Sequence, residues 1–209
     1  MFITFEGIDG SGKTTQAQRL AAHLRAQGHD VLLTREPGGT FIGDQIREVL
    51  LKKSSEDAMH PRTELLLFCA SRAQLVEEVL RPHLRRGGIV ICDRYTDSTL
   101  AYQGYGHGLP LDTLKVILDF ATGHLRPDMT FYFDITPQDA LRRKRQASLF
   151  GEEWNRLDDM ESQFYKRVYD GYRHLYSAEP KRWLRLDALG SIDAIFATLL
   201  EKLEARLAV

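Results

Sequence analysis

Gly7-Ile8-Asp9-Gly10-Ser11-Gly12-Lys13-Thr14 fits the pattern GxxxxGK[ST] at every fixed position. The residues before it, Phe2–Phe5, read as a buried strand. Those after it carry Ala17, Leu20, Ala21 and Leu24 at helical spacing, with Gly28 as a stop. A glycine-rich loop between strand and helix has a physical logic. Glycines let successive backbone N–H groups turn inward around phosphate oxygens. The helix opening near Lys13 adds its positive end. Lys13 puts a point charge between the β- and γ-phosphates of a nucleotide, and the Thr14 hydroxyl can ligate Mg²⁺. No N/TKxD guanine-reading motif follows, so Gly7 through Thr14 are the expected ATP-binding residues. The loop alone does not name the reaction, because kinases, motors and switches share it.

Outward from the loop, short apolar runs alternate with amphipathic segments. Strands are expected at Phe2–Phe5, Val31–Thr34, Ile89–Cys92, Met129–Phe133 and Trp183–Leu186. Several are apolar at consecutive positions, which suits parallel strands covered on both faces. Ile192, Ile195, Phe196, Leu199, Leu200 and Leu203 form one stripe of a C-terminal helix. The β-then-α alternation predicts an α/β fold, a doubly wound parallel sheet of about five strands flanked by helices on both faces. The leucine-rich segment Thr63–Leu80 suits either a core helix or one shared with a second subunit. Gln146–Asn155 breaks the pattern between basic segments, as a lid does.

Composition removes whole classes of function. The 209 residues are 43% hydrophobic and 27% charged, with a formal net charge of -1. Such balance gives no bulk attraction to nucleic acid or membrane, so anion binding must come from locally placed arginines. Cys69 and Cys92 lie in separate apolar runs without CxxC spacing, which fits a reducing compartment. The seven histidines are scattered without ligand spacing and are expected at the surface or at helix ends. Met1–Glu6 carries no basic signal-like start, and no run reaches ~18 apolar residues. A cytoplasmic protein is expected.

The remaining chemistry sits at strand ends, where ligands of open α/β sheets gather. Asp93-Arg94-Tyr95 closes the third strand. Asp93 can hold Mg²⁺, directly or through water, and Arg94 can reach a phosphate; the alternative is a strand-end salt bridge. Thr34-Arg35-Glu36-Pro37-Gly38-Gly39-Thr40 ends the second strand in an open loop, with Thr40 able to cap the next helix. Arg47, in that helix, can face the same cleft as Arg35 and Arg94, although a solvated face also accounts for it. Three converging guanidiniums suit a second phosphate group. A hydroxyl acceptor needs a carboxylate base, whereas a phosphate with a second pKa near ~6 is already ionised at neutral pH. The arginines favour a monophosphate acceptor. Glu36 remains available as a base.

The P-loop, TREPGGT (34–40), the pair Phe68 and Arg72, Asp93-Arg94-Tyr95, the Ser98 to Gly104 segment and a basic lid occur in the order seen in bacterial thymidylate kinases. The chain resembles that family over nearly its whole length. The resemblance implies one domain over 1–209, with a lid about 142–156. It also implies transfer of the ATP γ-phosphoryl group to dTMP, in dTTP biosynthesis, and a homodimer joined near Leu65–Leu67. Phe68 would stack on thymine and Arg72 would bond its carbonyl edge. Ser98, Thr99 and Gln103 would complete the base pocket, and Asp9 would accept from the sugar 3′-hydroxyl. The loop positions Ile8, Asp9, Gly10 and Ser11 carry no cation, so charge on the transferred group needs one from elsewhere. Arg142-Arg143-Lys144-Arg145 precedes the irregular stretch and Arg156 follows it. This resembles the subtype whose catalytic arginine comes from the lid, with Arg143 and Arg145 expected first and Arg156 third. Leu149–Trp154 makes that lid longer and more aromatic than the family's usual one. Two other readings use the same loop: a deoxynucleoside kinase with Glu36 as base, and an ATP-driven switch for a protein partner.

Overall fold

The apolar runs Phe2–Phe5, Ile89–Cys92 and Met129–Phe133 are buried on both sides, as their consecutive hydrophobics require, while Val31–Thr34 and Trp183–Leu186 are only partly buried. On the first strand Ile3 and Phe5 join one core cluster while Phe2 joins another, and on the third Ile91 and Val90 divide the same way. The computed structural model describes residues 1–52, 59–148 and 162–207. Its strands are β1 (Phe2–Glu6), β2 (Val31–Arg35), β3 (Ile89–Asp93), β4 (Met129–Asp134) and β5 (Trp183–Asp187). They form one parallel sheet in the order β2-β3-β1-β4-β5. Every strand runs one residue beyond its apolar run, onto Glu6, Arg35, Asp93, Asp134 or Asp187. Backbone pairing outlasts side-chain burial by one position, and a charge therefore stands at each carboxyl end.

The helices are α1 (Lys13–Ala26), α2 (Phe41–Leu51), α3 (Pro61–Leu75), α4 (Arg81–Arg85), α5 (Thr96–Thr99), α6 (Leu111–Thr122), α7 (Pro137–Ser148), α8 (Ser162–Ala178) and α9 (Ile192–Leu207), with π-helical turns at Val76–Leu80 and Leu100–Gly106. Helix α1 buries Ala17, Leu20, Ala21 and Leu24, and α9 buries Ile195, Leu199 and Leu203. Thr40 caps α2 by accepting from Gly43 N, a contact worth ~1 kcal/mol. The leucine-rich segment divides. Leu65, Leu75, Val76 and Leu80 are core, while Leu66 is 59% exposed. Pro82, which has no N–H, interrupts the α-helical ladder just after the π turn.

One histidine at a helix end is buried rather than exposed. His83 is buried, packed where any side chain on Gly88 would stand. Among the described residues no helix is long and apolar enough to cross a membrane.

Candidate active site

Parallel register sets the floor of the site. Phe5 of β1 and Arg35 of β2 both pair with Asp93 of β3, so the loop after β1 and the two strand ends reach one edge together. Gly12 takes φ 88 as the N-cap of α1, a left-handed conformation that glycine adopts without Cβ strain. Gly10 lies so close to the Ala140 carbonyl that a Cβ there would collide with it. The start of α7 thus rests on the phosphate loop.

Lys13 is buried, and its Nζ donates to Ile8 O at 2.9 Å and Ser11 Oγ at 3.3 Å. Burial, then the like charge of Arg94, lowers its pKa to about 8 against the pull of Asp93, Asp9 and Glu6. The Thr14 hydroxyl donates to Asp93 Oδ2 at 2.5 Å, while the buried Asp93 Oδ1 has no hydrogen-bond partner among the described residues.

Beside the loop opens a cavity of about 440 Å³. Arg35, Arg47 and Arg94 line it with Asp9, Thr14, Glu36, Phe68, Arg72, Asp93, Ser98, Thr99 and Gln103. Helix spacing explains one pair: Phe68 and Arg72, four residues apart on α3, share a face. Phe68 is half-buried rather than sunk in the core. Lys144 and Tyr102 also line the cavity. Neither carries an assignment from sequence, although Lys144 lies in the basic run and Tyr102 in the Ser98 to Gly104 segment.

Arg94 has φ 73, a conformation costly for a residue with a Cβ. Its guanidinium donates to Asp9 Oδ1 at 2.7 Å, Ser98 Oγ at 3.0 Å, Tyr172 OH at 3.1 Å and Tyr102 OH at 3.2 Å. Burial by itself would raise the Asp9 carboxyl, but Arg94, Lys13 and Lys144 outweigh it and hold the group well below the usual range. Beneath this network lies Glu6, missed by sequence reasoning because it closes an ordinary strand. Glu6 accepts from Tyr95 N at 2.8 Å, Ser98 Oγ at 2.6 Å and Tyr172 OH at 2.9 Å. Burial, reinforced by Asp97, raises its pKa to about 7.

Arg72 is fully buried. It meets Glu36 Oε2 through Nε at 2.7 Å and Nη2 at 2.6 Å, and donates to Thr99 Oγ1 and the Tyr95 carbonyl at 3.1 Å each. Burial raises the Glu36 pKa and the Arg72 charge opposes that rise. Glu36 Oε1 is buried without a hydrogen-bond partner among the described residues. Arg47 donates to Pro37 O at 2.9 Å, and its pKa falls through burial and then the charge of Arg35.

The basic run on α7 splits by direction. Arg142 pairs with Asp139 at 3.1 Å. Arg143 donates to the carbonyls of Ala188 and Leu189 at 2.5 and 3.0 Å, just beyond β5. Lys144 is buried between the acceptor-side cavity and a second one of about 630 Å³, which Arg145 also lines. Arg156 and most of the expected lid, including Leu149–Trp154, lie outside the described residues.

Comparison with known proteins agrees with this geometry. The family model described as Thymidylate kinase matches residues 5–199. A thymidylate kinase of Roseiflexus sp. (strain RS-1) is 54% identical over 203 residues, spanning 93% of this chain and 89% of that protein. One from Chlorobium luteolum is 47% identical, spanning 99% and 98%. The crystal structure of thymidylate kinase from Ehrlichia chaffeensis superposes with a TM-score of 0.76 at 34% identity, covering 97% of this chain and 98% of that one.

Proposed function

This chain belongs to the thymidylate kinase family, and from that premise we propose how its own residues move the γ-phosphoryl group of ATP onto dTMP, giving dTDP and ADP. One observation carries the assignment of roles: Arg35, Arg47 and Arg94 line a single cavity that opens beside the phosphate loop. They hold the dTMP phosphate, neutralising one polyanion as it approaches another. Phe68 stacks on thymine, and Arg72 meets its carbonyl edge while Glu36 fixes the guanidinium. Thr99 and Gln103 flank the ring. Ser98 supports Arg94 from beneath. Asp9 takes the sugar 3′-hydroxyl in place of the Tyr102 hydroxyl that now donates to it at 3.0 Å.

Residues Gly7–Thr14 bind the ATP phosphates, and Lys13 swings from its loop contacts onto the transferred group. The donor set suits Mg²⁺: Thr14 Oγ1 and Asp93 Oδ2 are already adjacent, and Asp93 Oδ1 lacks a partner among the described residues. Thr14 and Asp93 would hold the ion, directly or through water, and it would neutralise charge shared by the β- and γ-phosphates. Of the described α7 cations, Lys144 stands nearest in role to the one the loop lacks. Arg145 serves from the second cavity, and Arg143 is tethered at the end of β5. Arg156 belongs to the same proposed set, in one domain over 1–209 with its lid about 142–156. Closure excludes water from the transfer.

The enzyme works in the cytoplasm as a homodimer. Phe41 (77% exposed), Val49 (54%), Leu66 (59%), Val116 (71%) and Phe120 (90%) lie on α2, α3 and α6. These helices pack side by side, so an apolar face this open suits a second copy. A monomer by light scattering at working concentration removes the dimer. The activity is tested by ADP release from ATP and Mg²⁺ with dTMP, other monophosphates, thymidine or no acceptor. Strong stimulation by dTMP is expected. Preference for thymidine would make Glu36 a base, and indifference to every acceptor would point to a protein-gated switch.

A further inference from the structure

We propose that Glu64 is a positioning residue that dictates which end of the Gln103 carboxamide faces the acceptor base. The inference rests on the reading above, in which thymine enters beside Phe68, Thr99 and Gln103. Glu64 lies in the first turn of α3 and is 1% exposed. Its Oε1 accepts from Gln103 Nε2 at 2.7 Å and lies 3.1 Å from His107 Nε2. The His107 ring packs on Phe164 with centroids 4.8 Å apart, which steadies the far side of the group.

A carboxylate has lone pairs and no proton to give, so only the amino end of a carboxamide can face it. Gln103 is itself 2% exposed and lines the cavity. With its Nε2 committed to Glu64, its carbonyl oxygen is the end left for a ligand, and no described residue donates to it. A pyrimidine with N–H at ring position 3, as in thymine, meets an acceptor there. One with a lone pair at that position, as in cytosine, meets lone pair against lone pair. The reading of the base is thus set one residue behind the residue that touches it. A neutral partner at position 64 would permit both orientations.

Glu64→Gln, Glu64→Asp, Gln103→Leu and the double variant Glu64→Gln/Gln103→Leu test this. The measurements are kcat and KM for dTMP, Ki for dCMP as a competitor, and Tm. Glu64→Gln keeps a hydrogen bond but loses the one-way constraint. It should leave Tm and kcat close to wild type, raise KM for dTMP about tenfold and narrow the dTMP-over-dCMP preference by about tenfold or more. Glu64→Asp, still a pure acceptor, should keep most of the preference. Glu64→Gln should add nothing in the Gln103→Leu background, as expected for residues acting in series. If Glu64→Gln keeps the preference while Gln103→Leu loses it, the role of Glu64 is overturned and the base reading stands. If both keep it, Gln103 does not read the base. A drop in Tm with the preference intact, or equal losses from Glu64→Gln and Glu64→Asp, makes Glu64 structural only.

Discussion

The strand ends around the phosphate loop and the basic run on α7 both bring cations to one cleft, but their positions are set differently. Arg35 and Asp93 are opposed across β2 and β3, and Asp93 is opposed to Phe5 of β1. Hydrogen-bond register admits no other arrangement once the apolar runs are buried. On α7 each successive side chain turns through about 100°. Adjacent residues of one composition therefore part company: Arg142 to Asp139, Arg143 to the carbonyls beyond β5, and Lys144 into the cleft. In the first region residue type suffices to assign a role. In the second, phase around the helix decides, and four basic residues in a row look alike.

The largest effect should come from the region set by register. Lys13→Ala is expected to lower kcat by more than ~10³-fold, read as dTMP-dependent ADP release; retained turnover would remove the phosphate loop from the mechanism. The α7 comparison comes next. Lys144→Ala should lower kcat about 10- to 100-fold with little change in KM for dTMP, Lys144→Arg should restore most of it, and Arg142→Ala should be silent. Near-normal turnover in each of the Lys144, Arg143 and Arg145 alanine variants would dismiss the α7 cations altogether.

A smaller effect follows from the buried ammonium. Lys13 must carry its proton to stabilise phosphate charge, and its pKa is lowered to about 8. The value of kcat/KM for ATP should therefore fall above that pH, by about tenfold per unit, since this parameter reports the free enzyme. A profile flat to pH 9.5 would contradict the burial of Lys13. The smallest effect concerns Glu6, whose pKa burial raises from 4.5 to about 7. Between those values the native state keeps a proton that the unfolded chain has released, so stability should fall as pH rises through that window. Melting curves of wild type and Glu6→Gln should diverge there, by on the order of 1–3 kcal/mol. Parallel curves would mean that Glu6 stays ionised in the fold.

Much of the architecture was legible because burial leaves a local trace. Five apolar runs gave five strands, short by one residue each, since a charged residue at a strand end hides its backbone pairing. The arginines at 35, 47 and 94 gather around one cavity, and motif spacing alone could bring them to one edge. Glu6, Glu64 and Tyr172 were not legible. Each looks like an ordinary polar residue in its own segment, and each acquires meaning from partners 39 to 166 positions away. The burial of His83, which does stand at a helix end, was not legible for the same reason, because the glycine that makes room for it lies across a turn.

By itself the sequence determined the nucleotide loop, the parallel sheet and the family of the chain, because glycine placement, apolar periodicity and short motifs act through neighbouring residues. Tertiary structure alone decided which cation of α7 enters the cleft, that Arg72 is locked to Glu36, and that Gln103 is held by Glu64. Those outcomes depend on side-chain direction and on contacts between distant segments, and neither is written in any one stretch of chain.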